Sequence, residues 1–292
     1  SSGVVIIPEL DFTSPAGKVQ GLKGKVEFTS LTPLITAPDQ VLTVDRLEAV
    51  TPLTNLELRF ALDEKFLSLA GGQIQAAGGR ISIEPFNVPL TPGEAWGGVI
   101  VVDQVQLNEL MKSANLQDKA QLDSVVSGRL PFTYAPDVGW RISGGILNAV
   151  RPGRLSIQPE VFDELAAGEA AVDGQAPLPP NTMQDLAYQA MQDLAISDLS
   201  AEVNSLDNGR LGVRFHIHGR HDPPERQQLR LSWIEVIRRD FLKKKLPLPS
   251  DTPIDLTLDT TWNANQIVSD LMEWGKSANG GAATPAPETK TP

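Results

Sequence analysis

The chain has three histidines, His216, His218 and His221, and all fall within one short stretch. In an extended strand, residues two apart share a face, so His216 and His218 point the same way, with His221 just beyond. Neutral imidazoles so spaced could hold zinc or copper. The surrounding residues argue for a plainer role. Leu211, Val213, Phe215 and Ile217 take the opposite phase of the same run, which leaves the histidines with Arg214 on the wet side. Nothing in the spacing fixes a carboxylate to orient either imidazole as a ligand. No metal site and no cofactor are expected.

Other catalytic patterns are missing. There is no P-loop, no G-x-S-x-G, no H-E-x-x-H and no dinucleotide fingerprint after a strand. Acidic residues number 36, so a pair of carboxylates at glycosidase separation could arise in any fold, yet no spacing singles one out. The chain is therefore expected not to be an enzyme. A basic run, Arg238, Arg239, Lys243, Lys244 and Lys245, follows Ile234, Ile237 and Phe241 at helical spacing. It suits an amphipathic helix against anionic headgroups, or cations placed at a helix C-terminus. The formal net charge of -11 favours the second and argues against nucleic acid as a partner.

The elements that would position any site are strands, usually opened by glycine. The clearest are Gly78-Gly79-Arg80-Ile81-Ser82-Ile83-Glu84, Gly97-Gly98-Val99-Ile100-Val101, Gly209-Arg210-Leu211-Gly212-Val213-Arg214-Phe215 and Pro253-Ile254-Asp255-Leu256-Thr257-Leu258-Asp259. Each alternates, at least in part, between apolar and polar, so each lays an apolar stripe on one side of a sheet. Shorter signals place strands at Val4 to Ile7, Lys25 to Thr29, Val41 to Val50, Leu53 to Leu62, Phe66 to Leu69, Gln73 to Ala77, Val125 to Tyr134, Trp140 to Val150, Arg154 to Ile157 and Ile196 to Val203. The pairs Gly71-Gly72 and Gly78-Gly79 suit hairpin turns, and Asp207-Asn208-Gly209 another. Helical spacing appears at Leu107, Leu110, Met111 and Ala114. It returns after a cap at Asn181 or Thr182, through Met183, Leu186, Ala190 and Leu194, and from Ile267 to Trp274.

The 292 residues contain no cysteine, which excludes a disulfide framework and thiolate metal sites. No apolar run approaches a membrane span. The opening Ser1-Ser2-Gly3 has no initiator Met and no signal peptide, and reads as a segment of a longer protein whose targeting and anchoring parts lie elsewhere. The expected organisation is one mainly β domain over 1–276 and a disordered tail rich in Gly, Ala, Pro and Thr over 277–292.

A sheet of such strands carries one apolar face. That face is either the closed core of a sandwich, as in a binding module or a carbohydrate-active domain, or an open groove. Its candidate residues are Leu56, Leu58, Phe60, Ile81, Ile83, Val99, Val101, Leu130, Phe132, Ile142, Ile146, Leu211, Val213, Phe215, Ile217, Leu256 and Leu258.

Several stretches then carry a family resemblance. They are Leu47-Glu48-Ala49-Val50-Thr51-Pro52-Leu53-Thr54-Asn55, Ala77-Gly78-Gly79-Arg80 leading to Phe86, and Val126-Ser127-Gly128-Arg129-Leu130-Pro131-Phe132. Ile142-Ser143-Gly144-Gly145-Ile146-Leu147-Asn148-Ala149-Val150-Arg151-Pro152-Gly153, Asp185 to Leu194, Gly209 to Gly219 and Thr252-Pro253-Ile254-Asp255-Leu256 follow in order. Over roughly residues 20 to 275 the chain resembles the C-terminal region of YdbH-like proteins, AsmA-like relatives of TamB in the Gram-negative envelope. This region is also described as a dicarboxylate transport domain.

The resemblance implies a long, curled, taco-like antiparallel sheet whose groove carries phospholipid acyl chains across the periplasm between inner and outer membranes. It also implies an inner-membrane anchor in the preceding part of the protein. A small outer-membrane lipoprotein, YnbE-like, is implied as a partner near the C-terminal end. The last strand, Ile254, Asp255, Leu256, Thr257, Leu258, Asp259 and Thr260, has no internal Pro or Lys to guard it, so it is the expected edge for strand addition.

Overall fold

The computed structural model describes residues 1–14, 17–49, 51–113, 117, 120–157, 189–207, 210–224 and 248–262. The basic run near 234–245, the helix at 267–274 and the tail lie outside these residues, as does most of the helix expected from Asn181.

The described residues form seventeen strands and little else. They are β1 (Gly3–Ser14), β2 (Gly17–Leu31), β3 (Leu34–Thr36), β4 (Gln40–Glu48), β5 (Pro52–Leu62), β6 (Phe66–Ala76), β7 (Gly79–Ile83), β8 (Phe86–Pro89) and β9 (Trp96–Gln106). After helix α1 (Leu107–Ser113) come β10 (Ala120–Asp123), β11 (Val125–Ala135), β12 (Gly139–Ile142), β13 (Gly145–Ala149), β14 (Gly153–Ile157), β15 (Leu194–Ser205), β16 (Leu211–His221) and β17 (Pro253–Trp262). All pairings are antiparallel. They run β1–β2–β4–β5–β6–β7–β9–β11–β13–β15–β16–β17.

Short strands extend the rows lengthwise. β3 continues the β4 row against β2, β8 the β7 row against β6, and β12 the β13 row against β11. β14 pairs with the start of β15, and β10 with β14. Among the described residues the sheet does not close into a barrel: β1 pairs only with β2, and β17 only with β16.

Bulges bend this sheet and sharpen its twist. They interrupt β1 between Ile7 and Leu10, β5 at Asn55 (φ 52°), β9 at Gln104 (φ 53°) and β15 between Ile196 and Asp198. One glycine pair differs from expectation. Gly71-Gly72 makes no turn; it lies inside β6, at a bulge opposite Arg59 and Phe60. The hairpin falls at Ala77-Gly78, both at positive φ, where a two-residue loop needs the left-handed region. The stretch Trp140 to Val150 divides at Gly144 (φ 67°) into β12 and β13.

The helical signal at Leu107 is α1. Glu109 and Lys112 pair across it at 2.8 Å, and Leu107 and Leu110 pack on the core. At the second helical signal, residues 189–192 are helical, but Leu194 already opens β15. The buried core gathers along one margin of the sheet, from Val105 and Val126 to Leu194, Leu199, Ile217 and Ile254, beneath Ala190, Met191 and Leu248.

Candidate functional site

Directly opposed residues in an antiparallel ladder point to the same side, so the register assigns every side chain to a face. One row shows the result. Ile7 faces Gly24, Gly24 faces Leu42, Leu42 faces Leu58, and Leu58 faces Gly72. Gly72 faces Ile83, Ile83 faces Ile100, and Ile100 faces Leu130. Beyond Leu130 come Gly145, Val203 and Val213. Gly145 lies under Leu130, whose Cδ2 is 2.8 Å from the point a Cβ would occupy. Gly72 is likewise overlain by Ile83 and Leu58, at 3.1 and 3.2 Å. The row is an unbroken apolar floor from Ile7 on the edge strand β1 to Val213 on β16.

The same face takes Leu56, Leu58 and Phe60 of β5, Ile81 and Ile83 of β7, and Leu130 and Phe132 of β11. It also takes Ile142 of β12, Leu211, Val213, Phe215 and Ile217 of β16, and Leu256 and Leu258 of β17. No Asp, Glu, Lys or Arg falls on it among the paired strand residues. From β4 to β7 most of its side chains, Leu42, Leu56, Leu58, Ile81 and Ile83 among them, are half-buried, although Gln40, Val44 and Ala76 are buried, so the floor is more open there. Toward β15–β17 it closes: Leu199 is 0%, Ile217 2% and Leu256 7% exposed. Some candidates therefore pack inside the core margin and others lie on an open apolar face.

Three candidates point the other way. Val99 opposes Pro131, Val101 opposes Arg129, and Ile146 opposes both Arg129 and Glu202. All three lie on the polar face. Gly97 to Val102 is apolar throughout, so alternation alone selects no phase. Gly98 facing Phe132 and Val102 facing Gly128 decide it, placing Ile100 and Val102 on the apolar face instead.

That face also carries an aromatic group absent from the candidates: Phe86, Trp96, Tyr134 and Trp140 around Phe132. Trp140 is in phase with Ile142, and Tyr134 with Phe132, so the signal was present two residues away. Gly98 makes room for it, since a Cβ there would come 2.9 Å from Phe86 and 3.0 Å from Phe132.

The histidines separate. His216 and His218 lie on the polar face, where His218 Nδ1 meets Asp255 and Arg214 binds Asp259 through two contacts of 2.8 and 3.2 Å. That hydrogen bond and charge raise Arg214 above its ordinary pKa and hold Asp259 below the usual carboxylate range. His221, expected on the wet side, opposes Leu194 on the apolar face and is 3% exposed. Odd-numbered residues from 211 to 221 share one phase, and β16 runs long enough to include it. Burial pushes its imidazole below the ordinary value, against the opposing charges of Asp193 and Asp222. Among the described residues no group of three or more potential ligands is placed to hold a metal ion.

An uncharged floor that runs strand to strand suits an alkyl chain, which asks for apolar contact and no directional bonds. A family model described as YdbH-like, intermembrane phospholipid transport protein YdbH, matches residues 1–256. The chain belongs to the YdbH-like family. No curated protein and no solved structure gives a significant match. The family is one of lipid transport, which is not an enzyme class, and it suggests a periplasmic setting between two membranes. Among the described residues of this YdbH-like chain, no helix is long and apolar enough to cross a membrane.

Proposed function

We propose that this chain is a non-enzymatic segment of a lipid-transfer bridge in the periplasm, anchored to the inner membrane elsewhere in the protein. Phospholipid acyl chains lie on the apolar trough while headgroups stay in water. The observation that carries this reading is the continuous uncharged row from Ile7 to Val213. Each methylene withdrawn from water gains about 0.8 kcal/mol, so a wall of aliphatic side chains suffices to hold a chain without a specific pocket. The chemistry requires no cofactor and no metal.

The test is mass spectrometry of lipid co-purifying with the protein, joined to photo-crosslinking in cells. Crosslinkers at Val213 and Phe215 should capture phospholipid; those at Arg214 and His216, on the other face, should not. The opposite pattern, or protein free of lipid, defeats the proposal.

The outer edge of β17, unpaired among the described residues, is the proposed dock for a small outer-membrane lipoprotein, adding a strand along Ile254 to Thr260. Two features support this. The strand pairs on one side only among the described residues, and Ile254 and Leu256 anchor it to the core at 8% and 7% exposure. A rigid, unguarded edge is a template for another chain. Thr257→Pro should weaken recovery of the lipoprotein more than Thr257→Ala, because proline removes a backbone donor. Equal recovery with both variants folded would remove β17 as the dock.

A further inference from the structure

The trough has two unlike margins. Along one run Val105, Val126, Leu194 and Ile254, closed over by Ala190, Met191 and Leu248. Along the other, at the far ends of β9 and β11, Tyr134 directly opposes both Trp96 and Trp140. Their ring centroids lie 4.8 Å apart for Trp96 and Trp140, and 5.4 Å for Trp96 and Tyr134. Phe86 stacks on Trp96 at 5.6 Å. Nine phenylalanines, five tryptophans and two tyrosines serve the whole chain, so this grouping concentrates a scarce residue class on one side of the trough.

Indole and phenol rings combine an apolar body with a polar tip and favour the boundary where alkyl chain meets ester and headgroup. One tip here is unspent. Trp140 Nε1 is buried and has no hydrogen-bond partner among the described residues. Indole nitrogen only donates, so what it lacks is an acceptor.

Resting on the lipid-transfer reading, we propose that this aromatic margin is a binding site for the glycerol-ester region of a phospholipid. Trp140 Nε1 donates to an ester carbonyl. Lipids therefore travel with the ester end toward Trp96 and Trp140 and the chain ends toward the core margin.

The experiment uses the full chain with Trp233, Trp262 and Trp274 changed to Phe, leaving Trp96 and Trp140 as the fluorophores. It is loaded with phosphatidylcholine brominated either near the acyl carboxyl or near the terminal methyl, and bound lipid is quantified by mass spectrometry. Bromine near the carboxyl should quench more strongly. Equal or stronger quenching from the methyl end, or none while lipid remains bound, overturns the orientation and leaves lipid transfer standing. Absence of bound lipid overturns both. In a second arm, ester-linked lipid should be retained over ether-linked lipid by about fivefold, the factor of a typical net hydrogen bond. Trp140→Phe should abolish that preference. Equal retention of ester and ether lipid by the unsubstituted protein would sink the carbonyl contact.

Discussion

A charge placed mid-trough should act as a barrier without dismantling the sheet. Leu58 is the chosen position. It faces Leu42 on one side and Gly72 on the other, and its side chain spreads over that glycine. It is half-buried, so Leu58→Glu should cost the fold only about 1–2 kcal/mol. Its effect on cargo is larger. An acyl chain crossing the rung forfeits contact for roughly two to three methylenes, about 2 kcal/mol at ~0.8 each. Covering the carboxylate adds a desolvation cost of at least ~2 kcal/mol. Together these reach about 4 kcal/mol, or nearly three decades in occupancy of that rung. The control is Arg59→Gln, one residue on and facing the other way, which removes only an exposed pairing with Glu57. Phospholipid per mole of purified protein, measured by mass spectrometry, should fall sharply in the first variant and stay level in the second. A folded Leu58→Glu protein carrying full lipid, beside an Arg59→Gln protein that has lost it, would refute the face assignment on which the trough rests.

Further expectations concern the fold and its buried histidine. His221 has a depressed pKa when folded, so the unfolded chain binds the extra proton first; stability should fall as pH drops below about 6.5 and level off once the folded form is also protonated. Thermal melts of His221→Leu should lose that component, and an unchanged pH slope would show that other groups cause it. Gly128→Val would bring a Cβ to 2.0 Å from the Ile146 carbonyl oxygen, where only backbone could yield, and should lower stability by more than ~3 kcal/mol in denaturant titration. Gly139→Ala, with nothing within 4 Å and only its φ of 82° to strain it, should cost about 1–2 kcal/mol; equal losses would deny close approach at Gly128. Protein purified without chelator should hold no stoichiometric zinc; one equivalent, lost on His218→Ala, would reverse the reading of the histidines.

Where a strand alternates cleanly, the sequence alone assigned the faces. Leu211 to Ile217 and Leu56 to Phe60 behave as period two requires. It failed in two physical situations. In apolar runs such as Gly97 to Val102, both phases are apolar, and only the opposing strand decides. At bulges the phase shifts by one residue. Val102 and Val105 share a face across Gln104, as do Ile196 and Leu199 across the Ser197–Asp198 irregularity. Read as simple alternation, such pairs look like noise, although apolar residues three apart inside a strand are the mark of a bulge that keeps one face dry. The glycines misled for a related reason. Gly71 and Gly78 are equally good turn formers, and the difference is that Ile81 and Ile83 find partners in Ile74 and Gly72 only if the turn falls at Ala77-Gly78. The aromatic margin was legible only in part, because its members come from β8, β9, β11 and β12 and meet through long-range register.

The polar face explains how a trough of interchangeable aliphatic side chains keeps its register. A row of Leu, Ile and Val discriminates poorly between neighbouring alignments, yet a slip of one residue would turn every apolar side chain to water. Ion pairs between strands resist that slip. Lys23 binds Asp45 at 2.8 Å between β2 and β4, and Arg214 binds Asp259 between β16 and β17, with His218 and Asp255 four residues further along the same ladder. Arg129 of β11 reaches past β9 to Glu84 at 2.8 Å. Exposed pairs of this kind add little stability each. Their value lies in the alternative they penalise. Moving β17 by two residues against β16 keeps the apolar phase, which the trough side chains would tolerate. It would also place Thr257 or Thr261 opposite Arg214, which then loses its carboxylate partner Asp259. Charge on one face thus specifies the alignment that the other face needs but cannot encode for itself.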